Sequence, residues 1–268
     1  YYALGDSQTS SWTNLFTTPY PQASKGHTDL VSDLALGWFS LDEDGQLLTK
    51  SRTGWQRPSG WENVLDVAKK YDLKCEMVVH MTNKDRVMNR LLSNQVSVQQ
   101  AVEQIAEEAR YYSGVNLDME GLGLSEKGEA LSAVQDSFSW FVKLLSEKLH
   151  KNNKTLSLSL HAPNSSYKGY DYFTLGKYSD NIIIMAYDYG PKPEPNNKVN
   201  EAITMSLENV PAHKLTLGIS VPSETAESLS TKIGLAKRYN LDGVAIWRLG
   251  LVKDDMWTTL ETNITGNK

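Results

Sequence analysis

The residues best suited to do chemistry in this chain stand two apart along Gly-Val-Asn-Leu-Asp-Met-Glu-Gly, residues 114–121. Side chains of an extended strand alternate between its faces, so Asn116, Asp118 and Glu120 share one side while Val115, Leu117 and Met119 share the other. The apolar set would pack against helices, leaving an amide and two carboxylates together. Buried there, each unpaired polar group costs about 1 to 3 kcal/mol, so the face must be hydrogen-bonded. Two carboxylates that close resist double ionisation, which lifts one pKa toward the range useful to a general acid. The bland alternative has Asp118 and Glu120 decorating a solvated strand end. It loses ground because other apolar runs end in groups suited to the same work. Met185, Tyr187 and Asp188 close the run at residues 182–189, and Trp247 and Arg248 close the run at 243–248. A phenol and a broad indole at one mouth fit a flat, hydroxyl-rich ligand such as a sugar ring.

These residues need a scaffold that brings separate strand ends together. The chain alternates short β-rich runs with amphipathic helical stretches, the pattern of a parallel sheet with crossover helices. Strands are predicted at Tyr2–Gly5, Leu34–Ser40, Cys75–Met81, Gly114–Glu120, Thr155–His161, Asn181–Tyr187, Leu215–Val221 and Gly243–Trp247. Helices are predicted at Trp61–Tyr71, Val98–Tyr112, Leu131–Leu149, Val199–Asn209 and Ser228–Tyr239, with weaker segments elsewhere. Eight such units predict an α/β fold, a single (β/α)8 TIM barrel that consumes residues 1–268 as one catalytic domain. Its reactive groups stand at the C-terminal ends of the strands. The proline-rich stretch at residues 190–197 should be a rim loop, and Asp42–Gly45 reads as a solvated turn without the spacing of a calcium loop. The chain begins at Tyr1 without Met or a leader, as expected of a piece excised from a longer protein.

Composition removes several function classes. With 27 Lys+Arg against 32 Asp+Glu, the net charge of −5 does not suit a nucleic-acid partner, which needs a basic face. No apolar run approaches the roughly 20 residues that span a bilayer. One cysteine, Cys75, makes no intramolecular disulfide, and the linear spacing of the Cys and the five His matches no zinc motif, so no metal is expected.

Asn-Leu-Asp-Met-Glu on the fourth strand, Met-Ala-Tyr-Asp-Tyr on the sixth and the terminal Trp of the eighth resemble glycoside hydrolase family 18, whose signature is D-x-x-D-x-D-x-E. Within it the chain looks most like the bacterial branch of spore-cortex lytic N-acetylglucosaminidases. The resemblance implies that Glu120 protonates the glycosidic oxygen, Asp118 orients the substrate's 2-acetamido group, and Tyr187 hydrogen-bonds its carbonyl. It implies that Trp247 floors the sugar, with Met185 and Asp188 lining the same subsite. It also implies retaining, substrate-assisted chemistry through an oxazolinium ion without metal or organic cofactor, acting on chitin or the peptidoglycan strand. Ser113 and Asn116 depart from the first two signature positions, and Asn116 would hydrogen-bond Asp118 without sharing a proton. The family's S-x-G-G pattern is replaced on the third strand by Val79-His80-Met81-Thr82-Asn83.

Further residues fall near the expected mouth. Asn83 would contact sugar hydroxyls or cap a loop, and Trp38 would be a stacking platform or pack against a helix. Tyr189 and Arg248 are candidate cleft walls. His80 and His161 fall at strand ends but read more readily as hydrogen-bonded rim histidines. The few residues after the seventh strand leave no room for the α+β insertion many family members carry, which predicts an open groove. A secreted, cell-wall or spore location follows from the resemblance. The rival reading is a chitinase-like lectin that kept the groove and lost turnover.

Overall fold

The computed structural model describes residues 11–50, 54 and 56–264. The expected first strand, Tyr2–Gly5, lies outside them. Within them an eight-stranded sheet runs β1 (Asp33–Leu41), β2 (Leu47–Leu48), β3 (Lys74–Thr82), β4 (Gly114–Glu120), β5 (Thr155–His161), β6 (Asn181–Met185), β7 (Leu215–Ser220) and β8 (Gly243–Trp247). β1 and β3 to β8 pair in parallel in chain order, and β2 folds back antiparallel on β1. Parallel neighbours in chain order require a crossover at each step, which is what makes the architecture TIM-barrel-like.

Helices α1 (Ser11–Phe16), α2 (Trp61–Lys70), α3 (Val87–Ser93), α4 (Gln95–Glu108), α5 (Gly128–Lys151), α6 (Tyr172–Tyr178), α7 (Asn196–Leu207), α8 (Ala226–Arg238) and α9 (Asp254–Ile264) supply the outer layer. The β4 alternation explains the packing. Val115, Leu117 and Met119 are fully buried, in one apolar core with Phe138, Phe141 and Leu145 of α5. At about 25 cal/mol per Å² of apolar surface, this sheet-to-helix burial is the main stabilising contribution. Asn94 starts α4 by accepting from the N–H groups of Val96 and Ser97, and Thr225 starts α8 with a capping box to Ser228.

Two features were not expected from the sequence, the short hairpin strand β2 and helix α3. The turn at Asp42–Gly45 is as predicted: the Asp42 carboxylate accepts from the N–H groups of Asp44 and Gln46 at 3.1 and 2.8 Å. Residues 221–225 alone separate β7 from α8. No helix among the described residues is long and apolar enough to cross a membrane.

Candidate active site

The inward faces of the strands build the site in layers. On the floor Asn116 is fully buried, its amide donating to Ser157 Oγ at 2.7 Å and its Oδ1 accepting from Ser159 Oγ at 3.1 Å. Ser157 Oγ donates in turn to Glu76 Oε2 at 2.6 Å. Burial pushes the Glu76 carboxyl up to about 7, against the lowering effect of that hydrogen bond. Asn116 thus holds β4 against β5 one layer beneath the cleft. It does not line the cleft, unlike the other residues proposed from β4.

Above this floor a cleft of about 810 Å³ opens at the C-terminal strand ends. Asp118, Glu120, Met185, Tyr187, Asp188, Tyr189 and Trp247 all line it, so seven residues proposed from sequence meet in one place. Their companions are His80 at the end of β3, His161 at the end of β5, and the segment Asn164–Tyr167 that follows β5. His80 Nε2 lies 3.3 Å from Glu120 Oε1, and His161 Nε2 lies 3.8 Å from Glu120 Oε2. Both histidines therefore flank the acid. The only sequence signal for this was their position at strand ends. His161 is also stacked on Tyr167, with ring centroids 4.1 Å apart.

The electrostatics follow from burial and crowding. Asp118 is 6% exposed and its Oδ1 has no hydrogen-bond partner among the described residues. Burial first, then the nearby Glu120 charge, pushes its carboxyl up to about 7. Burial also acts to raise Glu120, but the hydrogen bond and charge of His80, with the charge of His161, outweigh it and hold the carboxyl below its ordinary value. Burial acts against charge on His80, yet the hydrogen bond to Glu120 and the Asp118 and Glu120 charges leave its pKa raised. For His161 burial wins and the pKa falls. Burial, reinforced by the Asp118, Glu120 and Asp188 charges, raises Tyr187 well above an ordinary phenol, so it stays a neutral donor.

The loop after β6 is held from behind. Glu194, 3% exposed, accepts from the N–H groups of Asp188 and Tyr189 at 3.0 and 3.1 Å, one on each carboxylate oxygen. Asp188 sits at φ 63°, a conformation such contacts must maintain. The buried Lys232 of α8 donates to the Glu194 carbonyl at 2.7 Å and to Asn196 Oδ1 at 2.6 Å, with Glu224 Oε2 at 3.6 Å. Tyr189 completes the wall by donating to Asn164 Oδ1 at 2.8 Å. The stretch expected to be a rim loop thus turns its acid inward, and nothing in its proline-rich composition signalled that.

Three further residues proposed from sequence lie apart from the cleft lining. Trp38 is fully buried and edge-on to Tyr112 at 6.3 Å, while its neighbour Gly37 lines the cleft, so strand alternation turns the indole outward. Asn83 caps rather than binds. Its Oδ1 accepts from the N–H of Met88 at 3.1 Å, and its amide donates to Asn89 Oδ1 at 2.6 Å and to the Gly121 carbonyl at 3.4 Å. Gly121, at φ 95°, makes the turn that brings the chain off Glu120 onto Asn83. Arg248 is half-buried beside Trp247 and is not among the cleft-lining residues.

His80, Asp118 and Glu120 each place a ligand-type atom within 4.8 Å of the others, the one grouping of this kind among the described residues. The arrangement offers a carboxyl pair able to exchange a proton, a neutral phenol and an indole facing one cavity.

Comparison with known proteins identifies the family and supports the fold. The family model for glycosyl hydrolases family 18 matches residues 6–223. The uncharacterized glycosylase YvbX of Bacillus subtilis is 24% identical over 242 residues, covering 81% of this chain and 65% of YvbX. The chain therefore spans just under two thirds of that relative. A class V chitinase from Pseudomonas fluorescens superposes with a TM-score of 0.79 at 19% identity, covering 97% of each chain. The spore cortex-lytic enzyme SleL of Bacillus megaterium superposes with a TM-score of 0.74 at 18% identity, covering 88% of this chain and 68% of SleL. With the model matched across most of its length and the acid, phenol and indole gathered in one cleft, the chain belongs to glycosyl hydrolases family 18.

Proposed function

We propose that the protein is a retaining β-N-acetylglucosaminidase that cleaves β-1,4 bonds beside N-acetylglucosamine in chitin or the peptidoglycan strand. The observation that carries this reading is the convergence of Glu120, Asp118 and Tyr187 on one cleft. Glu120 protonates the glycosidic oxygen as the bond breaks. The substrate's acetamido oxygen attacks the anomeric carbon, Asp118 stabilising the acetamide N–H and Tyr187 donating to the acetamide carbonyl. Water deprotonated by Glu120 then opens the oxazolinium ion with retention. In the free site Asp118 and His80 are shifted toward holding a proton and Glu120 toward losing one. A bound sugar that expels water raises Glu120 from that lowered value and draws a proton onto it. Trp247 offers the ring an apolar floor.

The scaffold proposed for this chemistry is a closed (β/α)8 barrel in one domain. Two contacts support this: Asn14 of α1 donates to the Val252 carbonyl at 2.8 Å, and Trp257 of α9 donates to Asn14. The short 221–225 connection supports a groove without the α+β insertion, open enough for the interior of a polymer. The similarity to a spore cortex-lytic enzyme supports a secreted, spore or cell-wall setting. The test is Glu120→Gln, assayed with a chromogenic chitobioside beside binding of the same sugar. Loss of turnover with binding and fold retained is expected. A Glu120→Gln protein as active as the parent overturns the assignment, and a parent that binds without turnover identifies a lectin.

A further inference from the structure

We propose that the cleft also binds a divalent transition-metal ion of the zinc type through His80, Asp118 and Glu120, and that the ion shuts the site when bound. Residues 80, 118 and 120 carry no zinc spacing in the chain, but the register of β3 on β4 pairs His80 with Asp118 and brings Glu120 one layer above. One ligand atom from each lies within 4.8 Å of the others. The separation of His80 Nε2 from Glu120 Oε1 is 3.3 Å. That is close to the edge of a tetrahedron built on metal–ligand bonds of about 2.0 to 2.1 Å.

A second observation points to a ligand independently. Asp118 lines the cleft, is 6% exposed, and its Oδ1 has no hydrogen-bond partner among the described residues. An orphan acceptor beside a second carboxylate is an unfavourable arrangement that a bound cation reverses, since the ion satisfies both acids at once. One imidazole and two carboxylates leave a position open toward the cleft, where the Glu120 side chain is 33% exposed. Such a mixed nitrogen and oxygen set favours zinc, cobalt, nickel or copper over magnesium and calcium, which take oxygen ligands. The inhibitory part rests on the function proposed above. A metal on Glu120 occupies the oxygen that must carry the proton, and on Asp118 it occupies the group that must meet the acetamide.

Calorimetry on the whole chain, stripped with EDTA and dialysed, tests the site with zinc sulfate alone at pH 7.5. One saturable site is expected, weakened at least tenfold in His80→Ala and Asp118→Asn. It should be unchanged in His150→Ala, which removes the surface pair His150–Asp180 at 2.9 Å. Magnesium should give no binding. Should a variant fail to fold, cobalt titrated into the parent decides the matter: a saturating N-acetylglucosamine oligosaccharide should compete with it and weaken its apparent binding at least tenfold. Zinc binding equal in folded His80→Ala and Asp118→Asn, equal binding of magnesium, no zinc binding by the folded parent, or cobalt binding unweakened by sugar that the parent is shown to bind overturns the site. Turnover with zinc present and absent separates the two claims. Binding as described without turnover under either condition leaves the metal site standing and the glycosidase reading refuted. Turnover that zinc does not inhibit leaves the glycosidase and removes the inhibition.

Discussion

Replacing Glu76 by Gln should stabilise the protein, and only above mildly acid pH. Glu76 lies on β3 beneath the cleft, accepting from Ser157, and burial lifts its carboxyl from 4.5 to about 7. Below pH 4.5 the folded and unfolded chains both hold the proton, so the residue carries no penalty. Between 4.5 and 7 the unfolded chain has released a proton that the folded chain retains, and stability falls as pH rises. The gap is worth about 1.4 kcal/mol per pH unit, hence about 3 kcal/mol in all at pH 8. Gln cannot ionise, and its carbonyl still accepts from Ser157. Urea unfolding of parent and variant at pH 4, 6 and 8 should give differences that grow from near zero to about 3 kcal/mol. In thermal melts the pH 8 difference should be about 6 to 10 °C for a chain of this size. Activity should persist, because Glu76 does not line the cleft. A gain equal at pH 4 and pH 8, or a variant less stable at pH 8, refutes the placement of an ionisable carboxyl in that buried layer.

Four other substitutions probe the site and its frame. His80→Asn removes the hydrogen bond and charge that hold Glu120 low, so with EDTA present the basic limb of the kcat/KM profile should move up; a downward move contradicts the His80–Glu120 contact. Glu194→Ala strips two charge-assisted hydrogen bonds, each worth about 1.5 to 3 kcal/mol, from the loop carrying Tyr187 to Tyr189. Residues 188–195 should become sensitive to limited proteolysis while kcat/KM falls more than about tenfold. Full activity in a protease-sensitive variant would dismiss the loop's role. Trp38→Phe should cost about 1 to 3 kcal/mol in denaturant without moving KM, whereas Trp247→Ala should raise KM in a protein of near-parental stability.

Much of the sheet is visible in the sequence because alternation and burial are local properties. β3 to β8 fall within a residue or two of their expected ranges, and the inward set of β4 follows from parity alone. Helix α3 and strand β2 escaped notice because each is short and earns its structure from tertiary contacts. Trp38 illustrates a different limit. Its strand was recognised, but which parity faces inward on β1 depends on the neighbouring strand and on the register shift between Leu36 and Phe39. Asn116 was read correctly as inward-facing. Its depth, one layer below the cleft, depends on pairing with Ser157 of β5.

From sequence alone, then, came the strand-helix alternation, the polar face of β4, and the candidate acid, phenol and indole at strand ends. Tertiary structure decided which of these meet. The 40 residues between His80 and Glu120 hide a contact that exists only because β3 and β4 pair at one particular stagger. Glu194 likewise sits in a loop whose composition says solvent, yet it is buried because two backbone N–H groups and Lys232 wait there for a partner. Periodicity is set by each residue's own backbone, so it can be read along the chain. Stagger and burial are set by how whole elements pack, and the proton balance at Glu120 depends on both.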